Sequence, residues 1–244
     1  VKRKIGGVVG AVFLLLMAAM CVRLGFWQLD RLEQRRARNA AVRAAQARPP
    51  VVVDAAAFAA ALADPAAYEW RPVEAAGTFH HAGDLLLRGR GRDGRPGVHL
   101  VSPLVLADGR VVMVDRGWVP AADAASADAG AYRTAGPVRV QGVLRGMEAS
   151  ADRGLPASGR AGADSSWRRI DLAVARERSP GAVLPLYLQR LPASADPPDP
   201  PLAEPLPELS EGNHLSYAVQ WFSFALIAVV GLVILWRRGR APKR

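Results

Sequence analysis

The sequence predicts a membrane protein in which two transmembrane helices flank a mostly antiparallel β domain, a barrel or sandwich of the α+β class, held outside the cytoplasm. Three observations predict it. Two apolar runs, Ile5 to Val22 and Asn213 to Trp236, are each long enough to cross a hydrocarbon core of about 30 Å, which takes roughly 20 helical residues. Basic residues sit at the terminal end of each run: Lys2, Arg3 and Lys4 before the first, Arg237, Arg238 and Arg240 after the second. Between the runs lie short alternating stretches bounded by turn residues, the pattern of strands.

The organisation read from the sequence is 1–4 cytoplasmic, 5–24 first span, 25–48 helical extension, 49–191 β-rich domain, 192–212 acidic proline-rich connector, 213–236 second span and 237–244 basic cytoplasmic tail. The first run is longer than the apolar part of a signal peptide, and Ala18-Ala19-Met20-Cys21 is a poor cleavage site, so it reads as an uncleaved span. Gly6 and Gly10 permit close helix approach. The helix continues through LGFWQLDRLEQRRARNAAVRAAQAR, which lacks proline until Pro49. Trp27 marks the outer interface, with Arg23 snorkelling at the same depth.

Two spans place both termini on one side, and the basic ends make that side the cytoplasm. Arg31, Arg35, Arg36, Arg38, Arg43 and Arg48 argue the other way, but long translocated loops escape the rule and Leu191 to Asn213 carries no Lys or Arg. In the β domain a capped helix is expected over Asp54 to Ala63. Strands are expected over Trp70 to Phe79, Leu85 to Arg88, Val98 to Leu106, Val111 to Val119, Val138 to Leu144 and Leu184 to Leu191, with a helix over Asp171 to Arg178. Asp108-Gly109 signals a hairpin. Gly89 to Gly97 and Ala149 to Asp164 read as Gly- and Arg-rich loops. From Pro192 to Pro207 seven prolines alternate with Asp196, Asp199 and Glu204, the mark of a solvated, stiff connector.

Composition excludes several functions. Lys and Arg outnumber Asp and Glu 32 to 22, but much of the excess is at the basic ends, which fit lipid headgroups better than nucleic acid. The single cysteine, Cys21, rules out an internal disulfide and a paired-thiolate copper site. The chain has no CxxCH, HExxH, phosphate-binding glycine loop or GxSxG elbow, and no catalytic constellation emerges. His80, His81 and His99 read as structural, because adjacent strand residues point to opposite faces.

The second span opens on polar and aromatic residues. His214, Tyr217, Ala218, Trp221 and Ala225 share one face, with Asn213, Gln220 and Phe224 beside it, so that face has a partner, either a helix or a ligand. Two readings stand side by side. In one, Tyr217 and Trp221 belong to an aromatic belt, Asn213 or Ser210 caps the helix, and His214 hydrogen-bonds at the interface. In the other, His214 is an axial ligand of a metal centre.

LGFWQLDRLEQR after a first span, then EWRPVEAAGTF, GVHLVSPLVLADGRVVMVDRGWVP, VRVQGVLRG and NHLSYAVQWFSFA opening a second span, resemble in content and order the surfeit locus protein 1 family. The resemblance covers most of the chain and implies a non-enzymatic assembly factor for cytochrome c oxidase, aiding haem A insertion or stabilisation in subunit I. The family's outer-interface motif falls on Gly25, Trp27, Gln28 and Arg31. Its central motif falls on Arg116, Gly117, Trp118, Val119 and Pro120, and its terminal motif on Asn213, His214, Tyr217, Gln220, Trp221 and Phe222. Asp115 stands where Asn is common, and the connector is unusually rich in proline.

The resemblance makes His214 the candidate ligand of haem iron, with Tyr217, Trp221, Arg23, Trp27 and Arg31 around the macrocycle. Arg23, Trp27 and Gln28 are expected level with His214, Tyr217 and Trp221, and Arg23 or Arg31 to meet the propionates. Arg116 and Trp118 are expected to determine the fold. The implied partners are oxidase subunit I, other oxidase or supercomplex subunits, haem A synthase and the bilayer, with no nucleic acid. The Ala- and Arg-rich composition points to a bacterial plasma membrane. The competing reading is an accessory subunit of a respiratory oxidase complex, docking through its β domain without binding haem.

Overall fold

A computed structural model describes residues 2–147, 155–156, 165–194 and 198–240. Most of the stretch 149–164 read as a loop lies outside the described residues. The chain forms two compact units: a helical one, from the N-terminal part of the chain to Ala41 and from Glu208 onward, and a β unit over Val42–Pro207.

The helical unit holds α1 (Lys2–Gln46) and α5 (His214–Arg240), both apolar and long enough to cross a membrane. Two long apolar helices thus flank the β domain. Their outer faces are exposed and aliphatic, as lipid-facing surfaces are, and their contact is a seam of small side chains. On α1 the buried positions Ala18, Cys21, Gly25 and Leu32 follow alternating steps of three and four and then a heptad, with half-buried Gln28 filling the gap. On α5 Ala218, Ala225 and Ala228 do the same. Small residues let two backbones approach where lipid provides no hydrophobic drive. A Cβ on Gly25 would come within 2.6 Å of the Phe222 ring, so the helices fit at this depth only with glycine there. One on Gly10 would meet nothing within 4 Å, so the close approach falls on Gly25, not Gly10.

In the β unit, Asp54 caps α2 (Ala55–Ala63) by accepting from the Ala57 amide at 2.8 Å. A single turn, α3 (Pro65–Tyr68), follows. The strands are β1 (Val51–Val52), β2 (Pro72–Phe79), β3 (Leu85–Arg92), β4 (Arg95–Leu106), β5 (Val111–Pro120), β6 (Pro137–Gly146), β7 (Leu155–Pro156), β8 (Ser165–Trp167) and β9 (Val183–Arg190), with α4 (Leu172–Glu177) before the last. Strand β2 pairs with β6, β6 with β9, β9 with β5, β5 with β4, and β4 with β2 again, so five strands close a barrel. Every pairing in that ring is antiparallel except β5 with β9.

Alternation along the strands fills the barrel with Val73, Ala75, Leu104, Val112, Val114, Leu144 and Leu186, among others, closed over by Phe58 of α2. Outside it, β3 extends the sheet from β4, and Leu85, Leu87, Met113, Trp167, Ile170 and Ala175 form a second core under α4.

Two sequence expectations are corrected. Gly89 to Gly97 is not a loop: it is the end of β3, a two-residue turn at Asp93 (φ 51°) and Gly94 (φ 74°), and the start of β4. Positive φ at both turn positions is what the type I′ hairpin demands, and the Asp-Gly pair supplies it. Nor is the connector solvated throughout. Leu202 and Trp118 exchange both backbone hydrogen bonds at 2.8 Å, Ala203 is buried, and Arg190 donates to the Pro201 carbonyl at 2.8 Å. Leu202 keeps the N–H that its proline neighbours lack, and the end of β5 offers the matching edge. Residues 201–207 are therefore a strap on the β unit.

Candidate functional site

On the helical unit, the site is the junction of α1 with the start of α5. Tyr217 N–H donates to the Asn213 carbonyl at 3.0 Å, starting the helix, and Ser210 Oγ accepts from the Gly212 amide at 3.0 Å. Asn39 on α1 donates to the Leu209 and Ser210 carbonyls at 3.2 and 3.1 Å. Arg35 donates to the Ser210 carbonyl at 3.0 Å, and Arg36 pairs with Glu211 at 2.8 Å. Asn39, Arg35 and Arg36 escaped the sequence reading, since a basic run on an outer helix gave no hint of the carbonyls it would meet.

His214 is half-buried, with Nδ1 2.9 Å from Gln28 Oε1. An amide oxygen only accepts, so Nδ1 is the donor in this pair. Phe222 packs on Gly25 and meets Phe26 edge to face, with centroids 5.4 Å apart, and Trp221 meets Phe224 the same way at 5.9 Å. Gly25 and Gln28 thus face α5, and the partner of the His214–Ala218–Ala225 face is a helix. Tyr217 and Gln220 are exposed.

Arg23, Trp27 and Arg31 are exposed and lie at steps of four on a face of α1 turned away from the seam. The Arg31 guanidinium lies over the Trp27 ring at 5.5 Å, and Arg23, Phe26, Trp27 and Asp30 line a shallow groove of about 640 Å³. The structure brings Gln28 to His214 but does not gather Arg23, Trp27 and Arg31 around the imidazole.

On the β unit, the central motif ends β5. Arg116 is buried beneath the Phe79 ring (4.8 Å) and donates to the Tyr132 carbonyl (2.6 Å), Thr134 Oγ1 (2.9 Å) and Ser102 Oγ (3.4 Å). Burial pulls its pKa below the ordinary value, with Asp84 acting against that and Arg190 adding to it. Gly117 has φ 116°, and a Cβ there would run into the Leu202 carbonyl of the strap. Trp118 is buried and donates from Nε1 to the Arg90 carbonyl at 3.4 Å, while Pro120 is exposed. The motif therefore serves as the strap's seat.

Beside it, His99 Nδ1 lies 2.9 Å from Asp115 and Nε2 3.3 Å from Glu204 of the strap. Burial pushes its pKa down, but the Asp115 hydrogen bond and the charges of Asp115 and Glu204 outweigh that and a contribution from Arg90, and the net shift is upward. An Asn at 115 would carry no charge to raise the His99 pKa in this way. His81 has other partners, Asp84 and Thr134, both at 3.1 Å. Among the described residues no group of three or more His, Cys, Asp or Glu is arranged to hold a metal ion.

Residues 15–226 match the model of the SURF1 family. The chain belongs to the SURF1 family. A SURF1-like protein of Monosiga brevicollis is 31% identical over 228 residues, covering 88% of this chain and 83% of the relative. SURF1 proteins are non-catalytic and act in general as assembly factors in cytochrome oxidase biogenesis, with links to haem A handling and to oxidase subunits. The SURF1 match covers the whole barrel, α1 from residue 15 and α5 up to residue 226.

Proposed function

We propose that this chain aids insertion or stabilisation of haem A in subunit I of cytochrome c oxidase, acting from a bacterial plasma membrane with both termini cytoplasmic and the β domain outside. Membership of the SURF1 family supports the oxidase, and one observation supports the handling of haem: the His214–Gln28 pair. A metal-binding histidine characteristically has its second nitrogen fixed by a hydrogen bond, which sets the tautomer and aims the ring. His214 has that arrangement, so the residues fit an axial ligand.

Bound haem A would supply an iron able to accept a nitrogen donor. His214 Nε2 would hold it, Gln28 would fix the ring, and Tyr217 and Trp221 would offer aromatic surface beside it. Arg23 and Arg31, on the far face of α1, suit a second contact, with propionates or phosphates at the outer interface, better than one shared with His214. The proline-rich stretch before the second span and the β domain would supply contacts to subunit I, other oxidase subunits or haem A synthase.

The test is the absorption spectrum of the protein purified in detergent from cells that make haem A, with His214→Ala and Gln28→Leu alongside. A stoichiometric Soret band lost in His214→Ala and weakened in Gln28→Leu supports the reading. No haem in any of the three favours the accessory-subunit reading, in which the β domain docks on the oxidase.

A further inference from the structure

We infer that a cleft on the outer face of the barrel, at the strap, is a binding site for an amphipathic carboxylate. This goes beyond the haem reading and does not rest on it. The cleft has a volume of about 640 Å³ and is lined by residues of β3, β4, β5, β6, β9 and the strap. Arg145 and Tyr187 are register partners on β6 and β9, Gln189 and Asp115 on β9 and β5, and Leu87 and His99 on β3 and β4, and the Arg145–Gln189 and His99–Asp115 contacts link these three pairs across five strands.

The charges along those pairs are unequally matched. Asp115 and Glu204 are both taken up by His99. Asp93 is largely exposed and stands 3.8 Å from Arg92. Arg90 and Arg145 have no carboxylate partner among the described residues. Arg90 donates only to the Arg168 carbonyl at 3.2 Å, and Arg145 only to Gln189 Oε1 at 2.8 Å while its guanidinium lies 3.7 Å from the Trp70 ring centroid. The Nε of each is buried with no hydrogen-bond partner. Both arginines line the cleft, and an anion with two acceptor oxygens is what the fork geometry of a guanidinium matches. Tyr187 adds a hydroxyl whose pKa burial pushes up, so it stays a donor.

Leu87, Pro205, Leu206 and Pro207 give the same cleft an apolar wall, which a bare inorganic anion would not use. Asp115 and Glu204 nearby disfavour a doubly charged phosphate more than a singly charged carboxylate. An organic acid with an apolar body meets both conditions.

The experiment is calorimetric titration of 4-phenylbutyrate into the full-length protein in a neutral detergent at low salt, with protein-free micelles as blank. The uncharged 4-phenylbutyramide and inorganic phosphate are run in parallel. Saturable one-to-one binding of the acid, weakened about tenfold or more in Arg90→Gln and in Arg145→Gln, with the amide and phosphate each far weaker, is the result expected. Because Arg145 stacks on Trp70, Arg145→Gln is read only if its melting curve matches wild type, and Arg90→Gln decides alone otherwise. Absence of saturable binding, an amide as good as the acid, phosphate binding as tightly, or unchanged binding in Arg90→Gln each overturns the assignment.

Discussion

His99 holds Glu204 at 3.3 Å, joining β4 to a strap that reaches it from the far end of the β-unit sequence. The strap is seated by that pair, by the two-way backbone exchange of Leu202 with Trp118, by buried Ala203, and by hydrogen bonds from Arg190 to the Pro201 carbonyl and from Arg92 to the Ala203 carbonyl, and each can be removed separately.

The ion pair makes the β unit pH-sensitive. The folded pKa of His99 lies above its ordinary value near 6.5, so protonated His99 favours the folded state. Its contribution is whole below about pH 6.5 and is lost as pH rises through the higher folded value. Melting temperature should therefore fall across that window in wild type and less so in His99→Gln; parallel curves for the two proteins would count against the pair.

Leu202→Pro deletes the N–H that donates to the Trp118 carbonyl and should cost about 1–3 kcal/mol. Limited proteolysis reads this locally: cleavage within 198–207 should speed up while the barrel fragment stays intact. Gly117→Ala should behave alike, because its Cβ would meet the Leu202 carbonyl.

Arg116→Ala leaves the Tyr132 carbonyl and Thr134 hydroxyl without their donor and uncovers Phe79, and should destabilise the β unit by about 2–4 kcal/mol. Chemical denaturation followed by tryptophan fluorescence measures it. Arg116→Lys should recover only part, since an ammonium lacks the two-nitrogen fork whose Nη2 serves Tyr132 and Thr134 while Nη1 reaches Ser102.

Gly25→Leu should separate α1 from α5, since even a single methyl would meet the Phe222 ring. A loss of about 1–3 kcal/mol is expected from overpacking, seen as a lower melting temperature in detergent. The double variant with Phe222→Ala should regain much of it, as coupled neighbours do.

Much of this architecture is legible in the sequence because it is written in local patterns. Asp54 and Asp171 mark two helix starts, and alternation marks β2, β4 and β5. The Ala and Gly spacing on the two apolar runs carries the seam, once each is read for small residues as well as for hydropathy. Asp93-Gly94 was equally legible, but the arginines around it hid a hairpin inside what looked like low-complexity loop. The strap was not legible: a proline-rich acidic run has the same composition whether solvated or docked, and only Leu202 facing Trp118 distinguishes the two. At the site, Gln28 and His214 both stand in motifs, yet their contact joins distant parts of the chain, and nothing local announces that Arg23, Trp27 and Arg31 turn to the other face.

Strand β9 lies between β5 and β6, yet it is the last of the barrel strands in the chain. During synthesis the earlier strands therefore wait with two bare edges, a template for wrong pairing. The gap is filled only once residue 190 has been made, and the second long apolar helix follows soon after in the chain. The order of the elements thus gives the domain a short interval in which to close before the second long helix is made.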